Sequence, residues 1–188
     1  MTTSVLFIQG AGAGANAEDA LLADSLRREL GRGFVVRYPA MIDEDDADLV
    51  PWSRQIDAEI ASLDGDVVVV GHSVGASIVV KHLSESELDP QIVGVFLIAT
   101  PFWSGDGIWV WEEGKLERSA AERFSERIPV FLYHCEDDEV VPFSHLGPNA
   151  DYLRNATVHE VPTGGHQFGN DLALVARDIK ALTEAASR

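Results

Sequence analysis

The chain has 188 residues, enough for one domain with a sizeable core and too few for two ordinary ones. Its 31 acidic residues against 14 basic ones give a formal charge of -17, a surface that repels nucleic-acid phosphates and anionic lipid, so neither is expected as a partner. A hydrophobic content of 46% excludes a disordered acidic chain, and the lone cysteine, Cys135, excludes an internal disulfide scaffold and fits a reducing compartment.

The amino-terminal residues include no Lys or Arg before Arg27 and only a short apolar stretch at Val5 to Ile8, which is not the pattern of a signal peptide. Residues 4–9 read as the first strand. A glycine-rich turn follows, then a helix with Leu22, Leu26 and Leu30 on one face, opened by Asn16 as N-cap and closed by Gly31. Residues 34–38 form the second strand. The acidic run from Asp43 to Asp48 reads as a solvated loop, and Trp52, Ile56, Ile60 and Leu63 mark a second helix face. The third strand, 67–70, is four valines without polar alternation, as in a strand buried on both faces, and a helix over 77–83 follows it.

The fourth strand covers 92–99, an apolar run well short of the ~20 residues of a membrane span. Residues 100–114 then hold Phe102, Trp103, Trp109 and Trp111, three of the four tryptophans of the chain. Such a loop either folds into the core or forms a short lid whose rings line a substrate pocket. Strands at 130–134 and 157–161 follow, and Leu172, Val175, Ile179 and Leu182 line a terminal helix that Asn170 caps. The alternation of strand and helix over residues 1–188 predicts a single α/β domain: about six strands, mainly parallel, with helices on both faces and no large cap domain.

After the third strand stands Gly71-His72-Ser73-Val74-Gly75, a Gly-x-Ser-x-Gly sequence at a strand-to-helix turn. That turn presents a serine hydroxyl at the carboxyl end of the sheet, where helix amides can stabilise an oxyanion. A serine hydroxyl is a weak nucleophile near neutrality and needs a histidine base held by a carboxylate. Asp138, in the acidic turn after the fifth strand, and His166, on the glycine-rich loop after the sixth, supply both in the chain order Ser, Asp, His. The neighbouring Asp137 is expected to be a solvated turn residue, His72 to shape the nucleophile turn, and Cys135 to be a small buried hydrophobe.

The turn Gln9-Gly10-Ala11-Gly12-Ala13-Gly14 offers a second oxyanion donor, so the amides of Ala11 and Val74 are the expected pair. Gly10, Gly12 and Ala15 also satisfy a dinucleotide-binding pattern, the signature of an oxidoreductase. The second strand, however, lacks an acidic residue at its tip to hold a ribose. No histidine, cysteine and carboxylate spacing suggests zinc, and no cofactor is expected.

The glycine turn at Gln9 to Gly14, the elbow at Gly71 to Gly75, the Asp138-x-Val-Val-Pro turn and Gly165-His166 together resemble the small bacterial α/β-hydrolases of the YdeN type. They are similar also to the retinoblastoma-binding-protein-nine serine hydrolases. The resemblance spans essentially the whole chain and implies a minimal hydrolase with Ser73, Asp138 and His166 as its triad. It departs at Gln9-Gly10, where many hydrolases have His-Gly, and at Cys135, where many have Gly. The expected function is hydrolysis of carboxylic esters, or of thioesters or amides, with small or medium acyl or aryl groups, in the cytoplasm. Gly10, His72 and the four loop aromatics are the expected substrate contacts. The alternative outside enzymology is an interaction module on a hydrolase scaffold.

Overall fold

The structure is a computed structural model of the chain, described here for residues 2–103 and 107–186. In chain order it runs β1 (Thr3–Ile8), α1 (Ala15–Leu30), β2 (Phe34–Arg37), a 3-10 turn (Glu44–Asp46), α2 (Leu49–Ala61), β3 (Val67–His72), α3 (Ser73–Glu85) and β4 (Ile92–Ile98). There follow α4 (Arg118–Arg127), β5 (Val130–Cys135), a 3-10 turn (Phe143–His145), α5 (Leu146–Tyr152), β6 (Thr157–Val161), a 3-10 turn (Phe168–Asn170) and α6 (Ala173–Ala186). The six strands form one sheet in the order β2-β1-β3-β4-β5-β6, and every pairing is parallel.

The two-residue period of a strand divides the core. Leu6, Ile8, Val67, Val69, Val95 and Leu97 face α2, α3, α4 and α5, where Trp52, Ile56, Ile60 and Phe124 meet them. Val5, Phe7, Val68, Val70, Phe96 and Ile98 face α1 and α6, against Leu22, Leu26, Leu30, Val175 and Ile179. Both faces of β3 are therefore covered, which is why its valines show no alternation.

The strand order reverses about β1. The chain leaves β1 for β2 on one side and returns to β3 on the other, so the loops after β1 and β3 diverge at the carboxyl edge. A crevice at such a switch point is where open α/β sheets hold ligands. Among the described residues no helix is long and apolar enough to cross a membrane.

Several boundaries differ from the sequence reading. α3 begins at Ser73 itself, α2 stops at Ala61 so that Leu63 lies beyond it, and α4 and α5 were not foreseen. Only Ala120, Ala121, Phe124 and Ser125 of α4 are buried, a stripe too narrow to stand out among its arginines and glutamates. Asn16 does not cap α1. The cap position is Gly14, at φ 83°, and the Asn16 amide group instead donates to Gln9 Oε1 at 2.6 Å. At α6 it is the Asp171 carboxylate, not Asn170, that accepts from a first-turn amide, Ala173 N at 2.9 Å.

The acidic run is only partly a solvated loop. Asp43, Asp45 and Asp46 are exposed, while the Glu44 carboxylate accepts from Asn16 N at 2.7 Å, Gly14 N at 3.2 Å and Gln9 Nε2 at 2.8 Å. It caps α1 from outside the helix, a task no residue at the start of α1 performs.

Candidate active site

The Gly-x-Ser-x-Gly sequence forms a turn so tight that its glycines are sterically required. A Cβ at Gly71 would lie 2.6 Å from Ala76 Cα, and one at Gly75 would lie 2.0 Å from the Gln9 carbonyl oxygen. Between them Ser73 has φ 52°, a left-handed conformation that costs an L residue about 1–2 kcal/mol. This is the strand-to-helix elbow expected from the sequence, with the serine 7% exposed at the start of α3.

The second residue of α3, Val74, has no partner for its amide within the helix, because the first turn of any helix leaves its N–H groups free. Ala11 lies on the loop after β1, which passes against the elbow: a Cβ at its neighbour Gly10 would sit 3.2 Å from Ser73 Cβ. Among the described residues neither the Ala11 nor the Val74 amide is engaged in a backbone bond outside the regular elements.

Asp138 and His166 meet. His166 Nδ1 lies 2.9 Å from Asp138 Oδ2 and 3.1 Å from Oδ1, and the carboxylate is wholly buried. Asp138 Oδ1 also accepts from the amides of Val140 at 2.9 Å and Val141 at 2.8 Å, and His134 Nε2 lies 3.3 Å from Oδ2. Burial works to raise this carboxyl, but the bonds from His134 and His166, the His166 charge and the Val140 amide outweigh it. The acid is held well below the usual carboxylate range and stays ionised.

The acids flanking it are structural. Asp137 is no free solvated residue, as its two oxygens accept from Gly164 N at 3.2 Å and Gly165 N at 2.8 Å. Glu139 accepts from His166 N at 3.3 Å. Three consecutive acids thus shape the histidine loop and orient its ring. Cys135 is fully buried, and its thiol is pushed up to about 12 by burial and then by the charges of Asp137, Asp138 and Glu139. It is the inert hydrophobe expected.

The elbow reaches the histidine through His72. The two imidazoles lie 4.7 Å apart between centroids, tilted by 45°, and His72 Nε2 is 3.1 Å from the His166 carbonyl oxygen. Ser73 Oγ and His166 Nε2 are not hydrogen-bonded to one another, and the ring contact with His72 is what brings the histidine to the elbow.

Of the loop over 100–114, residues 104–106 lie outside the described ones. Its anchors are on α3, α5 and the 3-10 turn before α5: Ser77 Oγ donates to the Pro101 carbonyl at 3.1 Å, Asn149 Nδ2 to that of Thr100 at 2.9 Å, and Phe102 N to His145 Nδ1 at 2.8 Å. Trp103 packs on Trp109 and Trp111, Trp109 on His145, and Phe102 on Tyr152. Trp111 leans on the core, whereas Ile108 is 83% exposed. The loop therefore has a core-facing side and a solvent-facing side. The ring partners of its aromatics lie within the loop and on the segment 145–152.

One residue that sequence reasoning missed is Asp19. It lies on α1 in the stripe of Leu22, Leu26 and Leu30, is 1% exposed, and accepts from Gly10 N, His72 and Gln167. A carboxylate on an apolar helix face was the available signal.

The dinucleotide reading fails on the amides it needs. Those at the start of α1 are taken by Glu44, and Gly10 N by Asp19, so carboxylates fill the place of a pyrophosphate. Among the described residues no cluster of side chains is arranged to hold a metal ion.

Known structures share the fold. The ydeN gene product of B. subtilis superposes with a TM-score of 0.77 at 19% identity, covering 98% of this chain and 100% of that one. Est1E from Butyrivibrio proteoclasticus gives 0.71 at 17% identity, over 100% and 89%. Mouse alpha/beta hydrolase domain-containing protein 10 gives 0.66 at 17%, over 97% and 90%. These likenesses establish the α/β-hydrolase fold. No curated protein matches the chain. A family model described as Serine hydrolase matches residues 24–170, a span that runs from within α1 past the elbow and both partner loops, and the chain belongs to that serine hydrolase family.

Proposed function

We propose that the chain hydrolyses carboxylic esters by acyl transfer through Ser73. The observation that carries this reading is the wholly buried Asp138 carboxylate bound to His166 Nδ1 at 2.9 Å, beside an elbow serine at φ 52°. An acid that accepts at Nδ1 keeps the proton there and leaves Nε2 free to act as base.

In the first step His166 Nε2 takes the Ser73 Oγ proton as Oγ bonds to the ester carbonyl carbon. The negative charge that develops on the carbonyl oxygen is met by the Val74 and Ala11 amides, each worth on the order of 3 to 4 kcal/mol. The intermediate then collapses, the carbon to alkoxy-oxygen bond breaks, and His166 returns the proton to the departing alcohol. Water repeats the sequence on the acyl-serine, releasing the carboxylic acid and restoring Ser73.

A site without a large cap favours small or medium acyl or aryl groups. Est1E, one of the structurally similar proteins, has been solved with ferulic acid bound, which supports the aryl part of that range. A series of p-nitrophenyl esters of increasing acyl length tests the reading: rates should peak at short or medium chains and vanish in Ser73→Ala. Rates still climbing at long chains, or retained in Ser73→Ala, would contradict it.

A further inference from the structure

Two loops and the end of β3 converge at the carboxyl edge on one buried side chain. Asp19 Oδ2 accepts from Gly10 N at 2.7 Å, on the loop after β1, and lies 2.8 Å from His72 Nδ1, next to Ser73. Its Oδ1 accepts from Gln167 Nε2 at 3.0 Å, next to His166. We propose that Asp19 is a positioning residue: through one carboxylate it sets the spacing among the Ala11 amide, Ser73 and His166. The inference rests on the reading of Ser73 and His166 as reacting groups.

Donor and acceptor chemistry defines the state of His72. One ring nitrogen faces the Asp19 carboxylate and the other faces the His166 carbonyl at 3.1 Å. Both neighbours accept, so both nitrogens carry hydrogen and the ring is an imidazolium. Burial opposes that charge, but the Asp19 charge and hydrogen bond, then the His166 carbonyl and the Asp138 charge, outweigh burial and raise His72 above its usual value. The same exchange lowers Asp19, where burial is outweighed by His72, Gly10 and Gln167. The titratable groups facing the pair are Asp138 and His166 toward His72, and Tyr38 and Glu44 toward Asp19.

His166 is thereby held at Nδ1 by Asp138 and at its own carbonyl by His72, besides the bond from its amide to Glu139. A proton lost from His72 at high pH removes one of its two hydrogen bonds, so activity acquires an alkaline limit set by the Asp19 charge. Asp19→Asn keeps the shape and removes the charge. His72 then becomes neutral at lower pH, because only the His166 carbonyl and the Asp138 charge still oppose burial.

The test is kcat and KM for p-nitrophenyl acetate across about pH 5 to 9 in wild type and Asp19→Asn, with circular dichroism to establish folding. The expected result is a kcat lower by about 10- to 100-fold, a KM within about threefold, and an alkaline fall in activity that starts at lower pH than in wild type. A folded Asp19→Asn with wild-type kcat and an unmoved alkaline fall would overturn the proposal. A residue needed only for folding would not shift the pH at which activity falls.

Ring-nitrogen NMR shifts of His72 in the wild type give a second readout that needs neither turnover nor a folded variant. Both nitrogens should remain protonated at a pH above the ordinary histidine value of about 6.5, and a neutral tautomer just above that value would overturn the proposal. Absence of turnover in wild type fails the ester reading alone, and the His72 shifts then decide the Asp19 tie.

Discussion

Gly75 is where the elbow and the loop after β1 press most closely together, and Gly75→Ala measures what that contact does. The added Cβ would lie 2.0 Å from the Gln9 carbonyl oxygen, 2.9 Å from its carbon and 3.0 Å from Ile8 Cγ2. Since Cβ contacts under 3.0 Å essentially do not occur, α3 and the end of β1 must part by about 1 Å. Two of the three obstructing atoms are backbone, so no side-chain rotation relieves the clash. Overpacking of this kind costs about 1–3 kcal/mol, which at about 2–4 °C per kcal/mol for a chain of this size lowers Tm by about 2 to 12 °C. The same displacement separates the Val74 and Ala11 amides. A misplacement of about 1 Å lowers kcat by about 100-fold, or about 2.7 kcal/mol of transition-state stabilisation. Melting curves and p-nitrophenyl ester kinetics measure the two losses together. Gly147→Ala is the control: it lies on α5, where an added Cβ meets no atom within 4 Å apart from its chain neighbours, so kcat should be unchanged. Wild-type kcat in a folded Gly75→Ala would refute the assignment of the two amides as a paired oxyanion site.

Asp138→Asn should lower kcat by about 10⁴-fold with the fold preserved, because the imidazole loses its tautomer; Asp137→Asn, which keeps one acceptor for the loop amides, should lose no more than about tenfold. The opposite ranking in the same ester assay would make Asp137 the acid. The Asp19–His72 pair also predicts a pH window of stability. A lowered carboxyl contributes fully above its unfolded value, about 3.9, and loses that contribution as pH falls through its folded one; a raised imidazole contributes fully below about 6.5 and loses it as pH rises. The Tm gap between wild type and Asp19→Asn should therefore be widest at about pH 4 to 6.5 and narrow on both sides, and a gap constant with pH would contradict the charge pair. Cys135, buried with its thiol pushed up to about 12, should react with a disulfide reagent near neutral pH only after unfolding; rapid reaction in the native protein would contradict its placement.

What was legible in the sequence was what has a period or a local steric signature. Four consecutive valines, leucines four apart, and a Gly-x-Ser-x-Gly sequence each reflect the geometry of one element, and the sheet, its two covered faces and the elbow follow from them. That Asp138 and His166 meet was legible because a nucleophilic serine would require a base and an acid on later loops, and chain order leaves few candidates. Contacts made across the fold were not. Glu44 looked like one of five exposed acids, yet its oxygens cap α1 from a loop 28 to 30 residues away in sequence. Asp137 looked spare until the histidine loop folded over it, and Asp19 stands 53 residues from His72 and 148 from Gln167. Helix caps failed for the same reason: Asn16 is a good capping residue, but Gln9 claims its side chain while Glu44 supplies the cap.

An activated Ser73 is detected by intact mass after treatment with a fluorophosphonate probe. The serine oxygen bonds to phosphorus, and fluoride leaves, only where a base removes the hydroxyl proton and the site accommodates the tetrahedral adduct. The expected result is one adduct on the wild type, mapped to Ser73, and none on Ser73→Ala. No adduct on folded wild-type protein, or one that persists in Ser73→Ala, would contradict it.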